Sequence, residues 1–209
     1  MRIAIIGAGA MGSALSTAAV KAGHHVTITA TSEDKAKQVA AQTGATPAAS
    51  NTDAATGAEI VVLAVPGSVA GSVLTELAPV LRGKVVIDAT NPLNATFSDL
   101  DIEETAAVQS LQRLVPDVPV IKALNTLFSG RLSTPDERDL RLDGFYAGDD
   151  ANAKQVVADL LTSLGFRPID AGGLRMARAL EEMAFLNIAL NAGNSWSWQS
   201  GWALVGPTA

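Results

Sequence analysis

An α/β fold with a doubly wound, mostly parallel sheet and a C-terminal helical extension is predicted by three observations. Apolar runs of strand length recur along the chain and alternate with stretches of helical periodicity. Several of these runs, such as Ile60-Val61-Val62-Leu63-Ala64-Val65, are continuously apolar, as strands buried on both faces require. The first run, Met1 to Ile6, passes directly into Gly7-Ala8-Gly9-Ala10-Met11-Gly12 and then into a helix. Strand, glycine turn and helix in that order are the context that gives G-x-G-x-x-G its meaning as a dinucleotide-binding, Rossmann-type turn. Gly7 permits the tight turn, Gly9 leaves room for a pyrophosphate, and Gly12 lets helix and strand pack closely. The free N–H groups at the helix start face the anion.

The elements follow in order. Met11, Ala14, Leu15, Ala18 and Ala19 lie on one face of the first helix, which ends at Gly23. His24 and His25 fall in the return loop, at the end away from the glycine turn. Val26–Ala30 is the second strand and Glu33–Gln42 the second helix, followed by a polar stretch, Thr43–Thr56. Ile60–Val65 stops at Pro66-Gly67, where a helix begins that runs to about Leu81. Lys84–Asp88 is the fourth strand, Ile102–Leu114 a helix, and Pro119–Ala123 the fifth strand. Thr134–Asp143 is a charged surface connection. Gly144–Gly148 is a short sixth strand. Asp149-Asp150 either forms a paired-carboxylate metal or acid-base site or, the favoured reading, supplies a helix N-cap and a first-turn acid before a helix over Ala151–Leu164. Phe166–Asp170 is an edge strand, since Pro168 cannot donate to a ladder. Asp170-Ala171-Gly172-Gly173 turns into a long helix through Leu190, and Trp196, Trp198 and Trp202 close the chain. Residues 1–170 thus form the dinucleotide-binding unit. Residues 171–209 form a helix and tryptophan-rich tail that pack on it or on a second subunit.

Composition narrows the function. A net charge of −6 argues against a nucleic-acid partner. With no cysteine and two adjacent histidines, neither a thiolate nucleophile nor a metal cluster is expected. No apolar run reaches the ~18 residues of a membrane span, and the N-terminal run lacks an export-signal pattern. A cytoplasmic protein acting on small molecules is the expectation.

The strand ends supply the site. Residues at the C-terminal ends of parallel strands line the ligand crevice, which packs Ala64, Val65 and Pro66 against the nicotinamide ribose or adjacent phosphate and sets Asn91 at the crevice edge. The second strand ends without the Asp or Glu that grips the ribose 2′-hydroxyl in NAD-selective sites; Glu33 lies too far along. Thr31, Ser32 and Lys35 beside a helix start suit a 2′-phosphate instead, so NADP is expected. The competing reading makes Ser32 a helix cap and Lys35 a solvated charge. Asp88 either acts as a catalytic carboxylate or ties loop N–H groups, with the second favoured. Lys122 either orients a ligand or sends its head to solvent. No essential acid or base is nominated.

Gly7–Gly12, Ala64-Val65-Pro66, Val120-Ile121-Lys122-Ala123-Leu124-Asn125-Thr126, Ala147-Gly148-Asp149-Asp150 and Asp170-Ala171-Gly172 occur in this order. Together they resemble the NADP oxidoreductases that use the deazaflavin coenzyme F420, over almost the whole chain. The Lys122–Thr126 stretch is also similar to the reductase domain of six-transmembrane metalloreductases. The resemblance implies NADPH as cofactor, with its nicotinamide in a pocket lined by Pro66, Asn91 and Ala123 beside Ala64 and Val65, and a deazaflavin as second substrate, exchanging a hydride directly between stacked rings. The chain departs from that family's pattern at Thr31-Ser32, where an arginine is usual, and at Gly67, where a bulkier residue often follows the proline. Two other readings compete. A β-hydroxyacid-dehydrogenase-like enzyme needs a further helical domain for which too little chain remains after residue 170. A non-catalytic dinucleotide sensor would use its tryptophan-rich tail as an interaction surface, and the same tail suits a homodimer seam.

Overall fold

The structure is a computed structural model that describes residues 1–96, 98–101 and 106–206. β1 (Arg2–Ile6) leads through the glycine loop into α1 (Ala10–Lys21). β2 (His25–Thr29), α2 (Glu33–Thr43), β3 (Thr46–Pro47), α3 (Asn51–Thr56), β4 (Ile60–Leu63), α4 (Gly67–Leu77) and β5 (Val85–Asp88) follow. Then come α5 (Ala107–Leu114), β6 (Val120–Ala123) and a small hairpin of β7 (Asp136–Glu137) and β8 (Leu140–Arg141). The chain closes with β9 (Asp143–Ala147), α6 (Ala151–Ser163), β10 (Arg167–Asp170) and α7 (Ala177–Gly193).

Eight strands form one sheet in the order β10-β9-β6-β5-β4-β1-β2-β3. Side chains alternate across it, so each strand feeds two cores. Ile3, Ile5, Ile28, Val62 and Ile121 pack with Leu15 of α1 and Leu161 of α6 on one face. Ala4, Ile6, Val61, Leu63 and Val86 pack with Leu74 of α4, Leu111 of α5 and Leu180 of α7 on the other. Burial on both faces is why β4 and β6 are apolar along nearly their whole length.

One pairing breaks the parallel pattern. β6 and β9 run antiparallel, with Lys122 opposite Ala147 and Ala123 opposite Tyr146. The segment between them holds a single 3-10 turn and the hairpin, with no crossover helix to carry the chain back to the start of the sheet. β9 therefore descends from the crevice end, and β10 pairs with it in parallel at the edge. α7 starts at the far end, where Asp149 Oδ1 accepts from Leu174 N at 2.7 Å, and climbs back toward the crevice. This reversal brings the last helix to the site.

Other boundaries shift. The polar stretch before β4 contains β3 and α3; Ser50 caps α3 by accepting from Asp53 N at 3.0 Å. The strand through Ile60 stops at Leu63, so Ala64 and Val65 belong to the loop. α4 stops at Leu77 and gives way to one 3-10 turn, Ala78–Val80, entered at Pro79. α5 covers Ala107–Leu114; residues 102–105 of the expected helix lie outside the described residues. Asp150 caps α6, but Asp149 caps the 3-10 turn at Leu174 rather than serving α6. The surface connection expected through Asp143 ends before it. Asp143 is fully buried, takes Arg167 Nε at 2.6 Å and Nη2 at 2.9 Å, and accepts from Leu204 N at 2.6 Å.

Candidate active site

The glycine loop shows three different reasons for glycine. Gly7 has φ +112°, and a Cβ there would strike the Ala64 carbonyl. A Cβ on Gly12 would strike the Gly7 carbonyl, which is the cost of seating α1 against β1. Gly9 has φ −79° and open space beyond its Cα, so neither backbone conformation nor packing demands glycine there. What it leaves is a cradle that a Cβ would partly fill. α1 starts at Gly9 with no side-chain cap and no acidic residue in its first turn. Its positive end is uncovered, and the loop fits a pyrophosphate.

At the same end of the sheet, just beyond β2, Ser32 caps α2 by accepting from Lys35 N at 3.3 Å. Its hydroxyl proton remains available to a ligand. Thr31, Ser32 and Lys35 are all exposed. Glu33 turns along the helix to Lys37 Nζ at 2.6 Å, and this partner holds its carboxyl below the usual range. Thr29, at the end of β2, donates to Asn51 Oδ1 at 2.8 Å. No carboxylate stands at the β2 terminus itself.

Between the start of α1 and the C-terminal ends of β4, β5 and β6 lies a cavity of about 360 Å³. Ala10, Met11, Ala64, Val65, Pro66 and Asn91 all contribute to its wall. Ala123 does not: it is fully buried within β6, and its successors Asn125, Thr126 and Leu127 reach the cavity instead. Gly7, Ala8 and Gly9 lie in the adjoining loop and Gly12 in the first turn of α1. Gly67 is explained by its neighbour, since a Cβ there would sit 2.8 Å from the Asn91 carbonyl oxygen.

Leu124 holds the turn after β6 at φ +67°, a conformation unfavourable by about 1 kcal/mol for a branched side chain. The strain is offset by the bonds it permits. Asn125 Nδ2 donates to Asn91 Oδ1 and to Leu180 O, both at 3.0 Å, and Asn91 Nδ2 donates to Asn125 O at 2.9 Å. Two crevice loops and α7 are thereby tied together.

Beneath the cavity sits a fully buried ion cluster. Lys122 Nζ lies 3.0 Å from Asp88 Oδ2, 3.0 Å from Glu181 Oε1 and 2.7 Å from the Thr90 carbonyl oxygen. Asp88 Oδ1 accepts from Thr90 N at 3.0 Å, and Glu181 Oε2 from Ala107 N at 3.2 Å. Lys122 thus neither reaches solvent nor faces a ligand. Asp88 does tie a loop N–H, as favoured, and also anchors the lysine. Such a cluster gains little net stability over apolar packing, but it fixes α5, α7 and the Thr90-Asn91 loop in one arrangement.

The wall contains residues that the sequence reading missed. Ala184, Asn187 and Ile188 of α7 line the cavity opposite Pro66 and Asn91. The signal was a buried polar stripe at helical spacing, Glu181, Asn187 and Asn191 with Ala184 between them. The tail then packs on one wall residue: Trp198 meets the cavity-lining Phe128 edge to face, with centroids 5.5 Å apart. Trp202 packs against the core and receives Asp143 N on its carbonyl, whereas Trp196 and Trp198 stay half exposed.

A glycine loop opening onto a cavity at the strand ends defines a Rossmann-type dinucleotide-binding protein. The comparisons narrow the class. Residues 2–92 match the family model described as NADP oxidoreductase, coenzyme F420-dependent. The F420-dependent NADP reductase of Methanothermobacter thermautotrophicus is 31% identical, over 93% of this chain and 90% of its own length. A structure from Arthrobacter sp. FB24, provisionally described as an F420-dependent NADP reductase, superposes with a TM-score of 0.87 at 30% identity, covering 98% of this chain and all of its own. Rat metalloreductase STEAP3 is 32% identical, but only over 53% of this chain and 22% of its own length. The chain belongs to the coenzyme F420-dependent NADP oxidoreductase family and is an oxidoreductase. No helix among the described residues is long and apolar enough to cross a membrane.

Proposed function

We propose that this protein transfers a hydride between NADP(H) and the deazaflavin coenzyme F420. The carrying observation is the cavity wall: among the described residues it contains no Asp, Glu, His, Lys or Tyr. Hydride exchange between two planar rings needs no acid or base at the reacting carbons; it needs alignment at ~3.5 Å and exclusion of water. When bound, the nicotinamide and the deazaflavin supply the two ends of that transfer. The chain's own residues hold them. Gly7, Ala8, Gly9, Ala10, Met11 and Gly12 seat the pyrophosphate at the start of α1. Thr31, Ser32 and Lys35 receive the 2′-phosphate, through two hydroxyls and a mobile ammonium rather than an arginine fork. Ala64, Val65, Pro66 and Asn91 bear on the nicotinamide end, with Ala123 beneath it.

In this reading residues 1–170 carry the cofactor and residues 171–209 close the crevice. Half-exposed Leu186, Leu190, Trp196 and Trp198 support a homodimer through this segment, in the cytoplasm; light scattering of the full chain and of a chain ending at Asn191 tests the seam, with a dimer expected only for the former. The reaction is tested by mixing the protein with NADPH and deazaflavin, FMN or ferric chelates in turn. NADPH oxidation is expected with deazaflavin. Binding of NADPH without turnover on any acceptor would favour a sensor.

A further inference from the structure

Two asparagine side chains in the crevice are left half-satisfied in opposite senses. Asn125 and Asn187 are each 4% exposed, and both line the cavity. Asn125 Oδ1 and Asn187 Nδ2 are buried without a partner. Buried polar atoms are rarely left so, because each forfeits about 1–3 kcal/mol.

The orientation of each amide is dictated by its neighbours. Asn125 Nδ2 points at two acceptors, Asn91 Oδ1 and Leu180 O, so its carbonyl is the free end. For Asn187 the orientation comes from the tail. Trp198 N donates to Asn191 Oδ1 at 3.1 Å, which commits Asn191 Nδ2 as a donor. That nitrogen bonds Asn187 O at 2.8 Å, Asn187 Oδ1 at 3.2 Å and Ser200 Oγ at 2.6 Å. Ser200 Oγ, having accepted, donates to Asn187 Oδ1 at 2.6 Å. Asn187 Oδ1 is therefore the accepting end, bonded by Ser200 Oγ and turned toward the Asn191 NH2, and Nδ2 is the end left free.

From this we infer that Asn125 and Asn187 form a two-point clamp for an amide edge, a C=O beside an N–H. Asn125 Oδ1 accepts from the ligand's N–H, and Asn187 Nδ2 donates to its C=O. The inference rests on the proposed reaction, whose two ligands both offer such an edge: the carboxamide of nicotinamide and the pyrimidinedione of a deazaflavin. Asn187 is then a specificity-determining residue supplied by α7, and Ser200 a positioning residue acting through it.

Asn187→Asp tests this, because the retained Oδ1 keeps the bonds from Ser200 and Asn191 while the free donor becomes an acceptor. Asn187→Leu removes the donor without adding charge, and Ser200→Ala releases the amide without touching the cavity wall. NADPH affinity is read by fluorescence titration and deazaflavin affinity by absorbance titration. Both are binding constants and stay defined if no hydride moves. A loss of about 10-fold or more is expected for one ligand in both Asn187 variants, and a smaller loss of the same ligand in Ser200→Ala. Loss confined to NADPH identifies the carboxamide as the edge; loss confined to deazaflavin identifies the pyrimidinedione. Folded variants, melting as the parent does, that bind both ligands unchanged would overturn the clamp. Should an Asn187 variant fail to fold, Ser200→Ala with unchanged affinities would do so. Absence of turnover in the unmodified protein would overturn the proposed reaction instead, leaving the clamp to be judged on binding.

Discussion

The two ends of the crevice are built in opposite ways. The end proposed for the pyrophosphate is local: six consecutive residues from the close of β1 into the first turn of α1 contain its turn, its cradle and its helix start. The end proposed for the nicotinamide is assembled from the loops after β4, β5 and β6 and from α7, which arrives only because β9 turns the chain around. A local site needs only its own sequence, so one residue breaks its function and spares the fold. An assembled site depends on whatever holds its parts in register, so the residues that matter most to it lie underneath.

This contrast ranks the expected effects. The largest falls on the buried cluster. Lys122→Met leaves Asp88 and Glu181 buried without their cation and should cost about 3–5 kcal/mol, measured by urea denaturation. Converting all three to apolar residues should recover most of that loss. A triple variant as unstable as the single one would show that the cluster is not a self-contained unit.

Next comes Gly9→Val, placed where nothing in the protein objects. NADPH binding should weaken at least 100-fold, about 2.7 kcal/mol, with the melting temperature unchanged. Equal loss of stability and affinity would erase the distinction between the ends. Lys35→Ala should be milder, weakening NADPH about 5-fold and NADH not at all, with the difference shrinking in high salt. Trp198→Ala removes the edge contact with Phe128 and should cost about 1 kcal/mol in thermal unfolding.

The smallest effect serves as a control away from the crevice. Burial, and then the nearby N-terminal ammonium, hold the His24 imidazole below its ordinary value of 6.5. The unfolded chain takes up that proton first. Stability from this group is therefore complete above pH ~6.5 and is lost as the pH falls through the lowered folded value. His24→Gln should flatten that slope in acid denaturation and leave NADPH affinity alone.

Legibility followed the same divide. The glycine loop could be read because every residue it needs is contiguous, and Pro66 and Asn91 because strand ends face the crevice by rule. Lys122 could not be placed from local pattern: a lysine closing an apolar strand has the same sequence signature whether its head meets water, a ligand or two buried carboxylates. Asp143 looked like surface because its neighbours Arg138, Asp139 and Arg141 are charged, while its partners Arg167 and Leu204 lie 24 and 61 residues on. α7 was recognised as a helix, but its path to the crevice follows from the β6–β9 reversal, which no periodicity encodes. Ala123 was misplaced by one turn of the chain for a similar reason, since the left-handed Leu124 hands the wall to Asn125.

The most direct test of the account is the fate of the transferred hydrogen. NADPH carrying deuterium at both positions of the reactive nicotinamide carbon is mixed with the protein and oxidised deazaflavin in ordinary water, and the reduced deazaflavin is examined by mass spectrometry. The account predicts one deuterium per reduced deazaflavin, delivered without exchange in a cavity whose wall, among the described residues, carries no Asp, Glu, His, Lys or Tyr. Deuterium lost to solvent, or NADPH bound and never oxidised, would contradict it.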